Sequence, residues 1–390
     1  MFRFECFLPD YSAKKKDPRV EFEKLVNRGL HGIKPYVGGK PREEVARLYG
    51  VKEPLKMNSN ENPLGVSPRA LAAAKNALPG SNVYPEGSSR EVRQALAKKH
   101  GVRPEEIIVG NGADEIIYYI AMSFVNDGDE AVIPRITFPI YEIAFRVMRA
   151  SIVTSGMRGL EIDLDDMRRR ITPRTKAVCV CNPNNPTGHV LPAGEVERFI
   201  EGVPGGVLIL MDEAYGDFAP DFPDTVSLFK KGQRNLLVIR TLSKAYGMAG
   251  FRVGYGIADE RAVAVMNRIK LPFNVSSVSQ TAAVGALEDG EFLMKTLQVA
   301  AEGRDRICAS LDGMGLSYVR SGTNFVLVDT GRDGDLVTEG LMKRGVIVRS
   351  AKMYGTPTSI RVTVGTGQQN ERFIRALGEV IAELRTRSSL

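Results

Sequence analysis

Seven short apolar runs recur through the middle of the chain, at 107–110, 130–133, 151–155, 177–181, 207–211, 236–240 and 253–257. They constrain the fold more than any other feature. Runs such as Ala177-Val-Cys-Val-Cys181 and Val207-Leu-Ile-Leu-Met211 lack the apolar–polar alternation of a half-exposed strand. They read as strands buried on both faces. Each is followed by a helical segment. Strands alternating with helices predict an α/β domain with a mainly parallel seven-stranded sheet flanked by helices.

Helical pattern dominates from 259 to 313, and a second, smaller alternation follows: strand 324–328, helix 335–343, strands 346–349 and 359–363, helix 368–384. This predicts a smaller α+β domain. The expected organisation is an N-terminal arm over 1–30, a segment 31–78 packing with the small domain, a large domain over 79–290 and a small domain over 291–390. Ser67-Pro68 reads as an N-cap followed by proline in the first helical turn. Ser88 or Ser89 opens an amphipathic helix through Lys99.

Composition excludes several classes. Of the 390 residues 43% are hydrophobic and 25% charged, ordinary for a globular chain. The net charge of +7 favours anionic ligands weakly, but no long basic run is interleaved with aromatics. Lys14-Lys15-Lys16 reads as a solvated tail, so neither nucleic acid nor membrane is expected as a partner. No apolar run approaches the roughly 18 residues of a membrane span, and no signal-peptide pattern opens the chain. A reduced, cytoplasmic compartment is the expectation. Four cysteines and three histidines make neither a disulfide scaffold nor a metal site. Cys179 and Cys181 should share one face of a buried strand.

In open parallel sheets, ligands bind outside the carboxyl ends of the strands. Strand 107–110 runs into Gly112-Ala113-Asp114 at a helix start, where small residues and backbone N–H groups suit a phosphate. A tight turn capped by Asp114 accounts for the same residues. Strand 177–181 runs into Asn182-Pro-Asn-Asn-Pro-Thr-Gly188, a rigid turn from which Asn185 can present its amide to a ring phenolate. Strand 207–211 runs into Asp212-Glu-Ala-Tyr215. A carboxylate at the rim of a buried strand needs a cationic partner. A protonated pyridine nitrogen is one; a helix N-cap is the plainer role. Strand 236–240 runs into Thr241-Leu-Ser-Lys244, with Arg252 eight residues on. A lysine beside a buried strand can become a Schiff-base nucleophile when desolvated, and Ser243 and Arg252 suit a phosphate.

These motifs in this order, NPNNPTG, DEAY and SKAYGMAGFRVGYG, resemble the pyridoxal-phosphate-dependent aminotransferases of fold type I, classes I and II. The resemblance covers most of the chain. It implies pyridoxal 5'-phosphate as cofactor and Lys244 as the Schiff-base lysine and proton carrier. It makes Asp212 the partner of the ring nitrogen, with Asn185 and Tyr215 on the ring oxygen. Gly112, Ala113, Asp114, Ser243 and Arg252 fall at the cofactor phosphate. Phe138, in Thr137-Phe-Pro-Ile-Tyr141, falls where an aromatic ring stacks on the cofactor. Arg361 falls where the family grips a substrate carboxylate.

Within the class, Lys34-Pro-Tyr-Val-Gly-Gly-Lys-Pro41, Ser59-Asn-Glu-Asn-Pro-Leu-Gly65, Tyr84-Pro-Glu-Gly87 and Gly345-Val-Ile-Val-Arg349 are most similar to the histidinol-phosphate aminotransferases. That likeness implies a homodimer in which Tyr84 reaches the neighbouring subunit's cofactor phosphate. It places Tyr36 and Arg349 on the substrate, Arg349 at its phosphate, with Asn185 also in reach. Glutamate would give up its amino group first, and imidazole-acetol phosphate would then receive it. Aromatic or broad-specificity aminotransferases share nearly all of these motifs, as does a phosphothreonine decarboxylase of the same fold. Relatives usually carry proline where this chain has Gly39.

Overall fold

The computed structural model describes residues 21–35 and 38–387. Seven strands form the large sheet: β1 Ile107–Asn111, β2 Glu130–Pro134, β3 Ser151–Ser155, β4 Thr175–Cys181, β5 Leu208–Asp212, β6 Leu236–Thr241 and β7 Val253–Ile257. Their order across the sheet is β1-β7-β6-β5-β4-β2-β3. Parallel pairing joins β3 to β2, β2 to β4, β4 to β5 and β5 to β6. Strand β7 alone runs antiparallel, against β6 and β1. The reversal has a local cause. Only residues 242–252 separate β6 from β7, too few for a crossover helix, so the chain doubles back. The expectation of a helical segment after every strand fails here: the connection holds only the single turn Ala249–Phe251.

Burial on both faces explains the unbroken apolar runs. On β4, Val178 and Val180 join one core cluster while Ala177, Cys179 and Cys181 join the other. Both cysteines therefore share a face, as the period of two requires. Helix Pro68–Ala77 starts as expected, with Ser67 Oγ accepting from the Ala70 N–H at 3.2 Å. Helix Arg90–His100 does not use its serines in that way. Its first N–H, that of Arg90, is taken by Glu86, whose carboxylate accepts from it at 2.7 Å and from the N–H of Ser88, just before the helix, at 2.9 Å. The acidic group at the helix N-terminus gains from the dipole as well.

The smaller sheet comprises β8 Ser317–Tyr318, β9 Phe325–Asp329, β10 Arg349–Ser350 and β11 Ser359–Thr363, in the order β8-β9-β11-β10. The strand expected over 346–349 is split in two. Val346–Ile347 pairs in parallel with Leu55–Lys56, and Arg349–Ser350 pairs with β11. Helices Gly290–Met314, Gly334–Lys343 and Gly367–Arg387 accompany this sheet, and its core forms a cluster of its own. Of the segment 31–78, Leu55–Lys56 thus joins the smaller unit, whereas Pro68–Ala77 packs along helix Ser277–Leu287. Gly29 is buried against Arg146 and Val147 of the large unit. Most of the expected arm, residues 1–20, lies outside the described residues.

Candidate active site

The carboxyl ends of the strands and one face of the smaller sheet enclose a cleft of about 360 Å³. It is lined by Ala113, Asp114, Phe138, Asn185, Asp212, Tyr215, Ser243, Lys244, Arg252, Arg349 and Arg361. Eleven of the residues singled out above, dispersed between positions 113 and 361, therefore meet in one place.

One end is built for an anion. Gly112, with φ of +87°, turns the chain from β1 into helix Ala113–Phe124, whose N-terminus faces the cleft. A Cβ at Gly112 would lie 2.3 Å from Arg252 Nη2, so the guanidinium as placed occupies the space a side chain would need. Arg252 itself has φ of +56°. Its Nη1 donates to the Ala249 carbonyl at 3.3 Å and to Ser243 Oγ at 3.5 Å, and its Nη2 lies 3.8 Å from Asp114. Thr241 Oγ1 accepts from the Ser243 N–H at 3.1 Å and holds that turn.

The middle of the cleft suits a charged ring. Asp212, at the end of β5, is only 4% exposed. Burial pushes its carboxyl up to about 6, against the hydrogen bonds from the Tyr141 hydroxyl and the Ala214 N–H that oppose the rise. Its neighbour Glu213 is turned to the opposite face, where it pairs with Arg240 at 2.7 Å. Lys244 Nζ sits 3.3 Å from the Ser59 carbonyl and 5.6 Å from the centre of the Tyr215 ring. Desolvation, helped by the positive charge of Arg361, lowers its amine to about 8. An amine so placed is neutral often enough near neutral pH to act as nucleophile and base.

Two arginines close the other end. Arg361 is 4% exposed, lies over the Phe325 ring at 5.2 Å, and donates to Asn185 Oδ1 at 2.6 Å and to the Asn58 carbonyl at 2.9 Å. Its Nε is buried without a hydrogen-bond partner. Arg349 stands opposite it on β10, and its Nη2 lies 2.8 Å from the Met353 sulfur.

The remaining assignments fare differently. Tyr84 is 79% exposed and stacks on Phe273, with ring centres 4.6 Å apart, away from this cleft. Tyr36 lies outside the described residues. Of the three asparagines in the 182–188 turn, Asn182 binds the Leu191 N–H and Asn184 bridges Thr137, Thr187 and the Ile136 carbonyl; only Asn185 lines the cleft. Sequence reasoning assigned no role to Tyr141 or Asn60. Tyr141 follows Phe138 by one helical turn, a spacing equally consistent with a core aromatic. Asn60 donates to the Tyr215 hydroxyl at 2.8 Å, a contact between residues 155 apart that leaves no local pattern.

The chain matches the family described as aminotransferase class I and II over residues 52–377. It belongs to that family. It is 45% identical to the histidinol-phosphate aminotransferase of Moorella thermoacetica, over 90% of this chain and 91% of that one. It is 43% identical to histidinol-phosphate aminotransferase 2 of Carboxydothermus hydrogenoformans, over 92% and 99%. Among solved structures it is similar to the histidinol-phosphate aminotransferase of Sinorhizobium meliloti in complex with pyridoxal-5'-phosphate, with a TM-score of 0.85, 28% identity and coverage of 92% and 98%.

Gly39, where the resemblance leads to an expectation of proline, packs against Asn58. A Cβ there would come 2.2 Å from Asn58 Nδ2, which donates to the Lys40 carbonyl at 3.3 Å. A proline at this position would need Asn58 to shift. Among the described residues of this aminotransferase no group of three or more His, Cys, Asp or Glu is arranged to hold a metal, and no helix is long and apolar enough to cross a membrane.

Proposed function

We propose that this aminotransferase carries pyridoxal 5'-phosphate on Lys244 and moves an amino group between the L-glutamate/2-oxoglutarate pair and the histidinol phosphate/imidazole-acetol phosphate pair. One observation carries the reading: a desolvated lysine, a buried carboxylate, an anion cradle and two facing arginines line the same cleft. The level of identity to histidinol-phosphate aminotransferases supports the choice of substrate.

The donor set fits the cofactor. The Gly112–Arg252 cradle, with Ser243 and the first N–H groups of helix Ala113–Phe124, would hold its phosphate. Phe138 would lie against its ring. Asp212 would face the ring nitrogen, and Asn185 and Tyr215 the ring oxygen. When bound, pyridoxal phosphate supplies a carbonyl that an amine can capture and a ring that withdraws electrons from the substrate's α-carbon.

The protein's own groups do the rest. Asp212, ionised above about pH 6, keeps positive charge on a nitrogen beside it. Lys244 Nζ would hold the cofactor and, when free, would accept and return the proton of the substrate's α-carbon. The return half of the reaction uses the same nitrogen in the opposite sense. Arg361, which lines the cleft, would receive the glutamate carboxylate. Arg349 would take the phosphate of the second substrate. A fork of two N–H groups suits either anion.

The reading includes a homodimer in the cytoplasm. Val83, Tyr84, Leu271 and Phe273 are exposed side chains of one kind on one surface region, where Tyr84 already stacks on Phe273. A second copy would cover them and bring Tyr84 to its cofactor phosphate.

The test is Lys244→Ala. Loss of turnover, together with loss of the visible absorbance of the lysine-bound cofactor, is expected. Full activity in that variant would overturn the assignment.

A further inference from the structure

Asn60 is 1% exposed and sits in a left-handed backbone conformation, with φ of +55°. Asparagine tolerates that region better than most residues. Its polar groups reach three separate parts of the chain. The side-chain N–H₂ donates to the Tyr215 hydroxyl at 2.8 Å. The backbone N–H donates to Thr363 Oγ1 at 2.9 Å, and Thr363 Oγ1 donates back to Asn60 Oδ1 at 3.3 Å. The Asn60 carbonyl accepts from Asn324 Nδ2 at 3.0 Å. Thr363 is two residues beyond Arg361 on β11 and so lies on the same face of that strand.

The direction of the hydrogen bonds matters. Thr363 uses its hydroxyl proton on Asn60 Oδ1, which fixes the amide so that its N–H₂ points at Tyr215. A tyrosine hydroxyl has one proton. Because Asn60 gives a hydrogen bond there, Tyr215 keeps that proton for an acceptor in the cleft. The buried position of Tyr215, 4% exposed, gives the hydroxyl no solvent alternative.

We propose that Asn60 is a positioning residue for the reaction: held by Thr363 of the smaller sheet and by Asn324 just before β9, it orients the Tyr215 hydroxyl as a donor toward the cofactor's ring oxygen. This rests on the reading above in which Tyr215 meets that oxygen. It adds a link between the strand that carries Arg361 and the group that tunes the cofactor.

The experiment is a pH titration of the visible absorbance of the holoenzyme, which reports the proton shared between the ring oxygen and the Lys244 nitrogen. Tyr215→Phe removes the donor, leaves the ring oxygen more basic and moves the midpoint up. Asn60→Asp replaces a donor with an acceptor, captures the Tyr215 proton and is expected to move the midpoint up by a similar amount. Asn60→Ala is expected to move it the same way but less, by about half a pH unit. In a Tyr215→Phe background Asn60→Ala should not shift the midpoint further. Thr363→Val should shift it upward and Thr363→Ser, which keeps the hydroxyl, should not; this pair serves if the Asn60 variants do not fold.

An unshifted midpoint in Asn60→Asp and Thr363→Val, with Tyr215→Phe shifted, overturns the role of Asn60 and leaves that of Tyr215 standing. Equal shifts from Asn60→Ala with and without the Tyr215 hydroxyl overturn it too, since they mark a general structural effect. An unshifted midpoint in Tyr215→Phe overturns the underlying assignment and this one with it.

Discussion

Arg349 and Arg361 stand directly opposite each other on adjacent antiparallel strands, β10 and β11. Like charges in that position repel, and both line the cleft. The arrangement becomes favourable when an anion sits between them. Separate duties follow from their surroundings. Arg361 is tied to Asn185, whereas Arg349 lies against Met353. Arg349→Gln should lower kcat/KM for the phosphate-bearing substrate by about 10- to 100-fold, the range of one charge-assisted contact, with a smaller effect on the glutamate half-reaction. Arg361→Gln should weaken the glutamate half-reaction most. Single-turnover measurements of the two halves distinguish them.

Asp212 is a strained ion in the cofactor-free protein. Its carboxyl titrates near 6 in the fold instead of the ordinary 3.8, so the folded state binds the proton more tightly than the unfolded chain. The resulting penalty is absent below about pH 4, grows between the two values and is complete above about pH 6, where it amounts to about 2–3 kcal/mol. Asp212→Asn should therefore raise the melting temperature of the cofactor-free protein at pH 7 to 8, with the gain fading toward pH 4, and should weaken cofactor binding. Thermal melts across pH, with and without cofactor, check both halves.

Tyr141 donates to the same carboxylate. Tyr141→Phe removes one of its two protein donors and should raise the Asp212 titration further. With Asp212 in its proposed role, acidification should weaken cofactor uptake at a higher pH than in the parent. Binding isotherms between pH 5 and 8 measure the displacement.

Lys244 should reveal its lowered titration in the rate of cofactor capture. The neutral amine is the nucleophile, so the rate constant should rise as pH increases through about 8 and level off above it. An unperturbed lysine would still be rising at 10. Rapid-mixing absorbance with the cofactor-free protein records the profile.

Gly112→Ala tests the anion cradle. The added Cβ would collide with Arg252 Nη2 and would sit at a φ that alanine resists. Cofactor affinity should fall at least about tenfold, and the backbone strain should also lower the thermal midpoint of the cofactor-free protein by several degrees. Equilibrium dialysis gives the first quantity.

The sheet and most of the cleft were legible because each depends on local pattern. Buried strands show as unbroken apolar runs, and the groups at their carboxyl ends follow within a few residues, as Asp212, Asn185 and Lys244 do. What stayed hidden depends on pairing across long stretches of chain. The reversal of β7 follows from a connection too short for a helix, a matter of counting that the alternation obscured. Asn60 meets Thr363 over a separation of 303 residues, and nothing around either position announces it. Asn184 and Asn185 are adjacent and identical in type. Only the path of the turn sends one to Thr137 and the other to the cleft.

The central claim, transfer of an amino group to a phosphate-bearing imidazole acceptor, is tested most directly by a paired assay with L-glutamate as donor. Imidazole-acetol phosphate and phenylpyruvate are compared as acceptors by kcat/KM on the same holoenzyme. A strong preference for imidazole-acetol phosphate, lost on Arg349→Gln, is the predicted result. A preference for phenylpyruvate would contradict the account and make the protein an aromatic aminotransferase.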